Sequence, residues 1–145
     1  MKIIDRLLED KIHISFEVFP PKTDAGYEKV RSATEQIAGL HPSYISVTYG
    51  AGGGTSKNTA KIASYIRDEL GVESLAHLTC ASSTKAEVQT VIENLKALGI
   101  ENILALRGDI PEGMVFPSED RYHYAYELVE AIRRSGDFCI GAACY

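Results

Sequence analysis

The feature that most constrains this chain is a regular alternation of strand-like and helix-like segments along its length. Strand candidates lie at 13–19, 44–49, 74–80, 102–107 and 138–145. Four helical segments separate them. Tyr27, Val30, Thr34, Ile37 and Leu40 fall at helical spacing in the first, and Ile62, Ala63, Ile66 and Leu70 in the second. Val88, Val91, Ile92 and Leu95 mark the third, and Ala125, Leu128, Val129 and Ile132 the fourth. The units run to roughly 30 residues, the usual size of a βα repeat. Thr84 and Glu87 predict a capping box on the third helix. Ser56 and Ser118 are candidate N-caps for the second and fourth. Gly71, Gly99 and Gly136 sit where a left-handed residue would end a helix.

Repeated βα units build either an open doubly wound sheet or a closed barrel. Residues two apart on a strand share a face. Ile14, Phe16 and Val18 oppose Ser15, Glu17 and Phe19; Ile45 and Val47 oppose Ser46 and Thr48. Ala76 and Leu78 oppose His77 and Thr79, and Leu104 and Leu106 are expected to oppose Ala105 and Arg107. One face is apolar and suits a layer of helices, whereas the other is polar or small. A doubly wound sheet covers both faces with helices and needs both apolar. A barrel carries helices only outside, so the polar stripe favours the α/β class of (β/α)8 barrels. A complete barrel of this kind takes roughly 250 residues. Residues 1–145 are therefore expected to form one partial barrel domain of five strands and four helices.

The polar residues gather at strand C-terminal ends, where α/β folds bind ligands. They are Glu17, Thr48, His77, Thr79, Arg107, Asp109 and Tyr145. A carboxylate such as Glu17, on a face predicted to be buried, is rarely structural unless paired, and an apolar setting suits a general acid. Alone, His77 reads equally well as a core histidine, and Asp109 as a turn cap. Thr48 alone is an ordinary strand residue. The glycine-rich stretch 50–57 fits neither the P-loop nor the dinucleotide fingerprint. It reads as a flexible loop or as a place where a ligand approaches the backbone. Cys80 and Cys144 read as small packing residues. Tyr122, Tyr124 and Tyr126 are expected to divide between core and surface, with aromatic stacking open to one of them.

Charge and cysteine content exclude several classes. The net charge is −5, with acidic and basic residues interspersed, which argues against nucleic-acid or acidic-membrane partners. The cysteines, three in number, suggest neither a disulfide framework nor a zinc site. Residues 1–11 read as a short amphipathic helix through Ile3, Ile4, Leu7 and Leu8, without the continuous apolar core of a signal peptide. No stretch approaches the roughly 18 apolar residues of a membrane span. A cytoplasmic location is expected. No lysine lies in the polar stripe, and His77 has no carboxylate at metal spacing in the sequence. Neither a Schiff-base enzyme nor a metal site is therefore expected.

Four segments, each at the end of a successive predicted strand, resemble the methylenetetrahydrofolate reductase family. They are Ser15-Phe16-Glu17-Val18-Phe19-Pro20-Pro21-Lys22, Ser46-Val47-Thr48-Tyr49-Gly50, His77-Leu78-Thr79-Cys80 and Leu104-Ala105-Leu106-Arg107-Gly108-Asp109-Ile110-Pro111. Ala143-Cys144-Tyr145 is similar to the start of a fifth. Lys22 stands where many members have Arg. The resemblance covers essentially the whole chain.

The resemblance implies a (β/α)8 barrel that binds FAD without a Rossmann motif. The implied reaction is reduction of 5,10-methylenetetrahydrofolate to 5-methyltetrahydrofolate with NADH or NADPH, in one-carbon and methionine metabolism. It implies Glu17 as the general acid that opens the folate ring to an iminium, and Asp109 beside the flavin and folate as a catalytic and substrate-binding residue. Tyr49, Ala51, His77, Arg107, Gly108, Ala125 and Tyr145 match FAD-contacting positions, and Thr48 a position near the nicotinamide. The implied partners are folate and nicotinamide, a homo-oligomer of the complete protein, and a redox partner protein where one replaces the nicotinamide. The alternative is a non-catalytic half-barrel that self-associates or pairs with another chain.

Overall fold

The computed structural model describes residues 1–21, 26–49 and 56–143. The elements run α1 (Ile3–Leu7), β1 (Ser15–Val18), α2 (Tyr27–Ala38), β2 (Tyr44–Val47), α3 (Ser56–Asp68) and β3 (Ser74–Thr79). They continue through α4 (Lys85–Ala97), β4 (Asn102–Leu106), α5 (Ala125–Ser135) and β5 (Cys139–Ala142). Each predicted strand and long helix is present, the strands generally shorter than the sequence suggests.

All strand pairs are parallel, and the sheet order is β1-β2-β3-β4-β5. A doubly wound sheet reverses its order at a switch point; this one does not. Crossovers between parallel strands are right-handed almost without exception. Strands laid down in sequence order therefore place every crossover helix, α2 to α5, on the same side. That is the architecture of a (β/α)8 barrel, of which these five strands form a part.

Register and burial agree with one helix-covered face. Val18, Val47, Ala76, Ile103 and Ile140 lie in a line across the five strands. Ile45, Val47, Ala76, Leu78, Ile103 and Ala105 are fully buried on that face. They join one core with Ile62, Ala63 and Ile66 of α3, Val88, Ile92 and Leu95 of α4, and Leu128 and Ile132 of α5. Burying aliphatic side chains like these stabilises by about 1.5–3 kcal/mol each, before the entropy of ordering them.

On β4 the expected faces are reversed. Leu104 is in register with His77 and Leu106 with Thr79, so these leucines belong to the concave face. Ile103 and Ala105 face the helices. The segment Ile103–Leu106 is apolar throughout and carries no period of two. The small size of Ala105 suits the polar face in sequence, whereas in the structure it allows close packing against the helix layer.

Helix ends divide in the same way. Thr84 and Glu87 form the predicted capping box. Gly71 and Gly99 are left-handed, at φ +66° and +72°. Gly136 is extended, at φ 170°. Ser118 does not cap α5, which begins seven residues later; the Glu127 carboxylate takes that role, accepting from the N–H groups of His123 at 2.6 Å and Tyr124 at 2.9 Å. The Ser56 side chain lies outside the described residues.

Helix α1 is five residues long and buries only Ile3. Its start is held by Asn102, which accepts from the Ile3 N–H at 2.8 Å and donates to the Met1 and Ser74 carbonyls at 3.1 and 3.2 Å. Ser74 and Asn102 open β3 and β4, so α1 lies at the strands' N-terminal ends. The opposite end is left to loops. Among the described residues no helix is long and apolar enough to cross a membrane.

Candidate functional site

A cleft of about 750 Å3 opens at the C-terminal ends of β3 and β4. Tyr49, Thr79, Arg107, Gly108, Asp109 and Ala125 line it, so five candidate cofactor positions and one further strand-end polar residue share this cleft. Arg107 and Asp109 are exposed there, and the Arg107 Nε–H is turned onto the Gly108 carbonyl at 3.3 Å. Thr48 is half-buried just beyond β2, its carbonyl accepting from Thr59 Oγ1 at 2.9 Å. Ala51 and Tyr145 lie outside the described residues.

The ends of β3 and β4 are sewn together beneath the cleft. The Arg107 carbonyl accepts from the N–H groups of Cys80 at 3.1 Å and Ala81 at 2.9 Å. Gly108 follows at φ +78°, with Thr79 against it. Cys80 is fully buried in this seam. Burial pushes its thiol up to about 11, and the charge of Glu127 adds to the rise. It is a packing residue, as its sequence context suggests, and not a nucleophile.

Deeper on the concave face stand Glu17, Ser46 and His77, on three neighbouring strands. Ser46 is in register with Glu17 and donates from Oγ to Glu17 Oε2 at 3.3 Å. His77 Nε2 lies 3.5 Å from the same Oε2. That separation is within ion-pair reach, but no hydrogen bond joins the groups, and Nε2 is buried without one. Burial lowers the His77 pKa, and the nearby Glu17 carboxylate partly offsets the fall. The Glu17 side chain itself is 46% exposed. Among the described residues Glu17 lacks the expected apolar enclosure: β1 is an edge strand, Phe19 is exposed and Phe16 is on the other face.

Sequence reading missed the Glu17–His77 approach, since the two residues meet only through sheet register. It missed Ser82 and Ala143 on the cleft wall, which carry no chemical signal of their own. Of the tyrosines, Tyr124 lines the cleft, and Tyr126 stacks on it at 5.9 Å between centroids and 13° between planes.

The cleft's size lies in the range of small-molecule and cofactor sites, about 300–1,000 Å3. Its described lining combines apolar Ala105, Leu106 and Ala125, the rings of Tyr49 and Tyr124, and the charged side chains of Arg107 and Asp109. Such a surface suits a planar aromatic ring system bearing polar and anionic substituents. FAD fits that description. Among the described residues no group of three or more His, Cys, Asp or Glu side chains is placed to hold a metal ion.

Residues 2–145 match the family described as methylenetetrahydrofolate reductase. A 5,10-methylenetetrahydrofolate reductase of Escherichia coli (strain K12) is 36% identical over 138 residues, covering 95% of this chain and 45% of the relative. One from Pectobacterium carotovorum subsp. carotovorum gives the same identity and coverage. Methylenetetrahydrofolate reductase (NADH) 1 of Zea mays is 37% identical over 145 residues, covering 95% of this chain and 24% of the relative. The chain spans less than half the length of these curated relatives.

Proposed function

The chain belongs to the methylenetetrahydrofolate reductase family, and from that membership we propose that it forms the first part of an FAD-dependent barrel that reduces 5,10-methylenetetrahydrofolate to 5-methyltetrahydrofolate. The observation that carries this reading is the placement of Glu17, Ser46 and His77 on the concave face, below a cleft walled by Arg107, Gly108 and Asp109. Glu17 is the general acid for opening the folate ring. Asp109, an exposed residue of the cleft lining, meets the pterin and the flavin together in this reading. Tyr49, Gly108 and Ala125 supply wall for the flavin ring, and Arg107 a cation for its polar edge. Thr48, Ala51 and Tyr145 complete the cofactor contacts that the family resemblance implies.

The redox chemistry, acceptance of hydride from NADH or NADPH and its delivery to the one-carbon unit, is what FAD supplies when bound. The chain's own contribution is orientation, electrostatics and one proton. The Zea mays relative's name specifies NADH, which makes NADH the first donor to test. A cytoplasmic, oligomeric enzyme of one-carbon and methionine metabolism follows from the same reading, with a redox partner protein as the other electron source.

FAD titration followed by quenching of flavin fluorescence tests this, with Asp109→Ala as control. It should be run on this chain and on a chain completed with the remaining strands. Saturable binding weakened about tenfold by the control, a change of about 1.4 kcal/mol, supports the reading. Binding only in the completed chain supports it too, and places essential contacts outside these residues. No binding in either form overturns it.

A second reading has one observation behind it. β1 and β5 are edges of the described sheet, and Ile12, Ile14 and Phe19 are exposed beside β1. Open edges favour pairing with another strand. A non-catalytic half-barrel that closes by self-association would show a dimer's molecular mass without binding FAD.

A further inference from the structure

A buried polar atom without a hydrogen bond is uncommon and calls for an explanation. His77 Nε2 is such an atom, and Glu17 Oε2 lies 3.5 Å away. The imidazole is 7% exposed and the carboxyl side chain nearly half exposed. Ser46, on the strand between them, holds the shared oxygen over β2. A closure of roughly 0.5 Å would bring the nitrogen and oxygen to hydrogen-bond distance. Catalytic hydrogen bonds are often long in ligand-free structures and tighten when substrate binds.

We propose that His77 and Glu17 share a proton, and that His77 acts through Glu17 by holding the proton that Glu17 delivers to the folate. This rests on the reading of Glu17 as the general acid.

With the concave face open, water reaches Glu17, and a proton that the pair takes up from solvent is held as imidazolium and carboxylate; burial of His77 opposes that uptake, so it grows as pH falls. A ligand covering that face excludes the water. Two charges then cost more than two neutral groups. The proton crosses: the Nε2–H bond breaks, the Oε2–H bond forms, and both charges vanish. Glu17 next gives that proton to a folate ring nitrogen. The carbon–nitrogen bond pair goes to that nitrogen, and the other ring nitrogen's lone pair forms the iminium. Glu17 is left as carboxylate and His77 neutral. Departure of the product readmits water, which returns a proton to the pair from the Glu17 side. Among the described residues Glu17 is the charged group that bears on His77, so the exchange is assigned to these two side chains.

The first test needs no enzyme activity. The His77 Cε1–H resonance is followed against pH in this chain and in its Glu17→Gln variant. Removing the carboxylate should lower the His77 midpoint by about one unit, since an opposite charge at this range favours the protonated ring. An unchanged midpoint overturns the pair. The second test uses the completed reductase and its His77→Gln variant at matched flavin content. The expected loss is about 10–100-fold in kcat, with KM for the folate nearly constant and the pH dependence of kcat flattened in the variant. An active wild type with an unaltered His77→Gln profile overturns the relay alone. An inactive completed wild type that also fails to bind FAD overturns the functional reading, and the His77 midpoint still reports separately on the pair.

Discussion

A Cβ built on Gly108 would lie 2.8 Å from the Thr79 Cβ, closer than two such carbons approach in folded proteins. The two residues lie at the ends of β4 and β3, and their contact sets how tightly the cleft's floor closes. Gly108 also holds φ +78°, where a side chain is strained. Gly108→Ala therefore meets both penalties and should destabilise by about 1–3 kcal/mol. Adding Thr79→Ala should restore little, because the closest atom, the Cβ, remains. Urea denaturation measures both; an alanine at 108 with unchanged midpoint would mean the strand ends part at no cost.

Asn102 does at the strands' N-terminal ends what the Arg107 carbonyl does at the other. It is buried, and its amide joins the chain start, β3 and β4 in three hydrogen bonds. Asn102→Ala strands the Ile3 N–H and two carbonyls, each costing about 1–3 kcal/mol where water cannot reach. A total loss of about 2–4 kcal/mol is expected, since α1 can fray to rewet some of them. Amide exchange at Ile3 should rise toward that of an exposed N–H. Slow exchange retained at Ile3 would show that α1 docks through other contacts.

Most of the fold was legible because its signals are local. Helical spacing marked α2 to α5 and the Thr84–Glu87 box marked the start of α4. Strand order followed from sequential βα units once one face proved polar. What was not legible depends on register or on neighbours. Asn102 looks like an ordinary polar residue before an apolar run, and only the fold brings Met1, Ile3 and Ser74 to it. Glu17 and His77 were each singled out for their chemistry, yet their approach across β2 is invisible until the strands are aligned. The faces of β4 were misread because Ile103, Leu104, Ala105 and Leu106 offer no polar alternation.

That reversal on β4 is measurable. Ile103 is fully buried on the helix side and Leu104 half-buried on the concave side. Ile103→Ala should cost about 2–5 kcal/mol, as for other aliphatic deletions in a packed core. Leu104→Ala should cost about 1 kcal/mol, since its neighbours already give on to solvent. Equal losses, or the reverse order, would contradict the register of β4 with β3.

The box at the start of α4 makes a prediction about pH. Glu87 accepts from the Thr84 N–H at 2.7 Å and the Thr84 hydroxyl at 3.0 Å, and these bonds, the backbone one first, hold its carboxyl below the usual range. A carboxyl lowered on folding contributes stability above its unfolded pKa, about 4.3. That contribution is lost as pH falls through the folded value. Glu87→Gln should therefore flatten part of the stability loss below about pH 4. The change should be modest, because Glu87 is exposed and solvent screens it. Thr84→Ala should cost about 1 kcal/mol near neutrality and remove only the hydroxyl's smaller share of the acid dependence, since the backbone N–H that holds Glu87 remains. Identical acid limbs in wild type and Glu87→Gln would leave the box without an electrostatic role.

Cys80 supplies a chemical reading of the seam between β3 and β4. Its thiol is buried, with its sulfur 3.8 Å from the Arg107 and Tyr124 carbonyls. Because burial pushes the pKa up to about 11, little thiolate exists at pH 8, and the thiolate is the reactive form. Alkylation by iodoacetamide should be much slower at Cys80 than at Cys139, which is partly exposed, and should reach the free-thiol rate only in denaturant. Peptide mapping by mass spectrometry separates these sites from Cys144. Gly108→Ala should hasten the Cys80 reaction in the native chain if wedging the strand ends opens the seam. Rapid Cys80 alkylation in the unaltered chain would show that the seam opens readily without help, and the packing assigned to Gly108 and Thr79 would then fall with it.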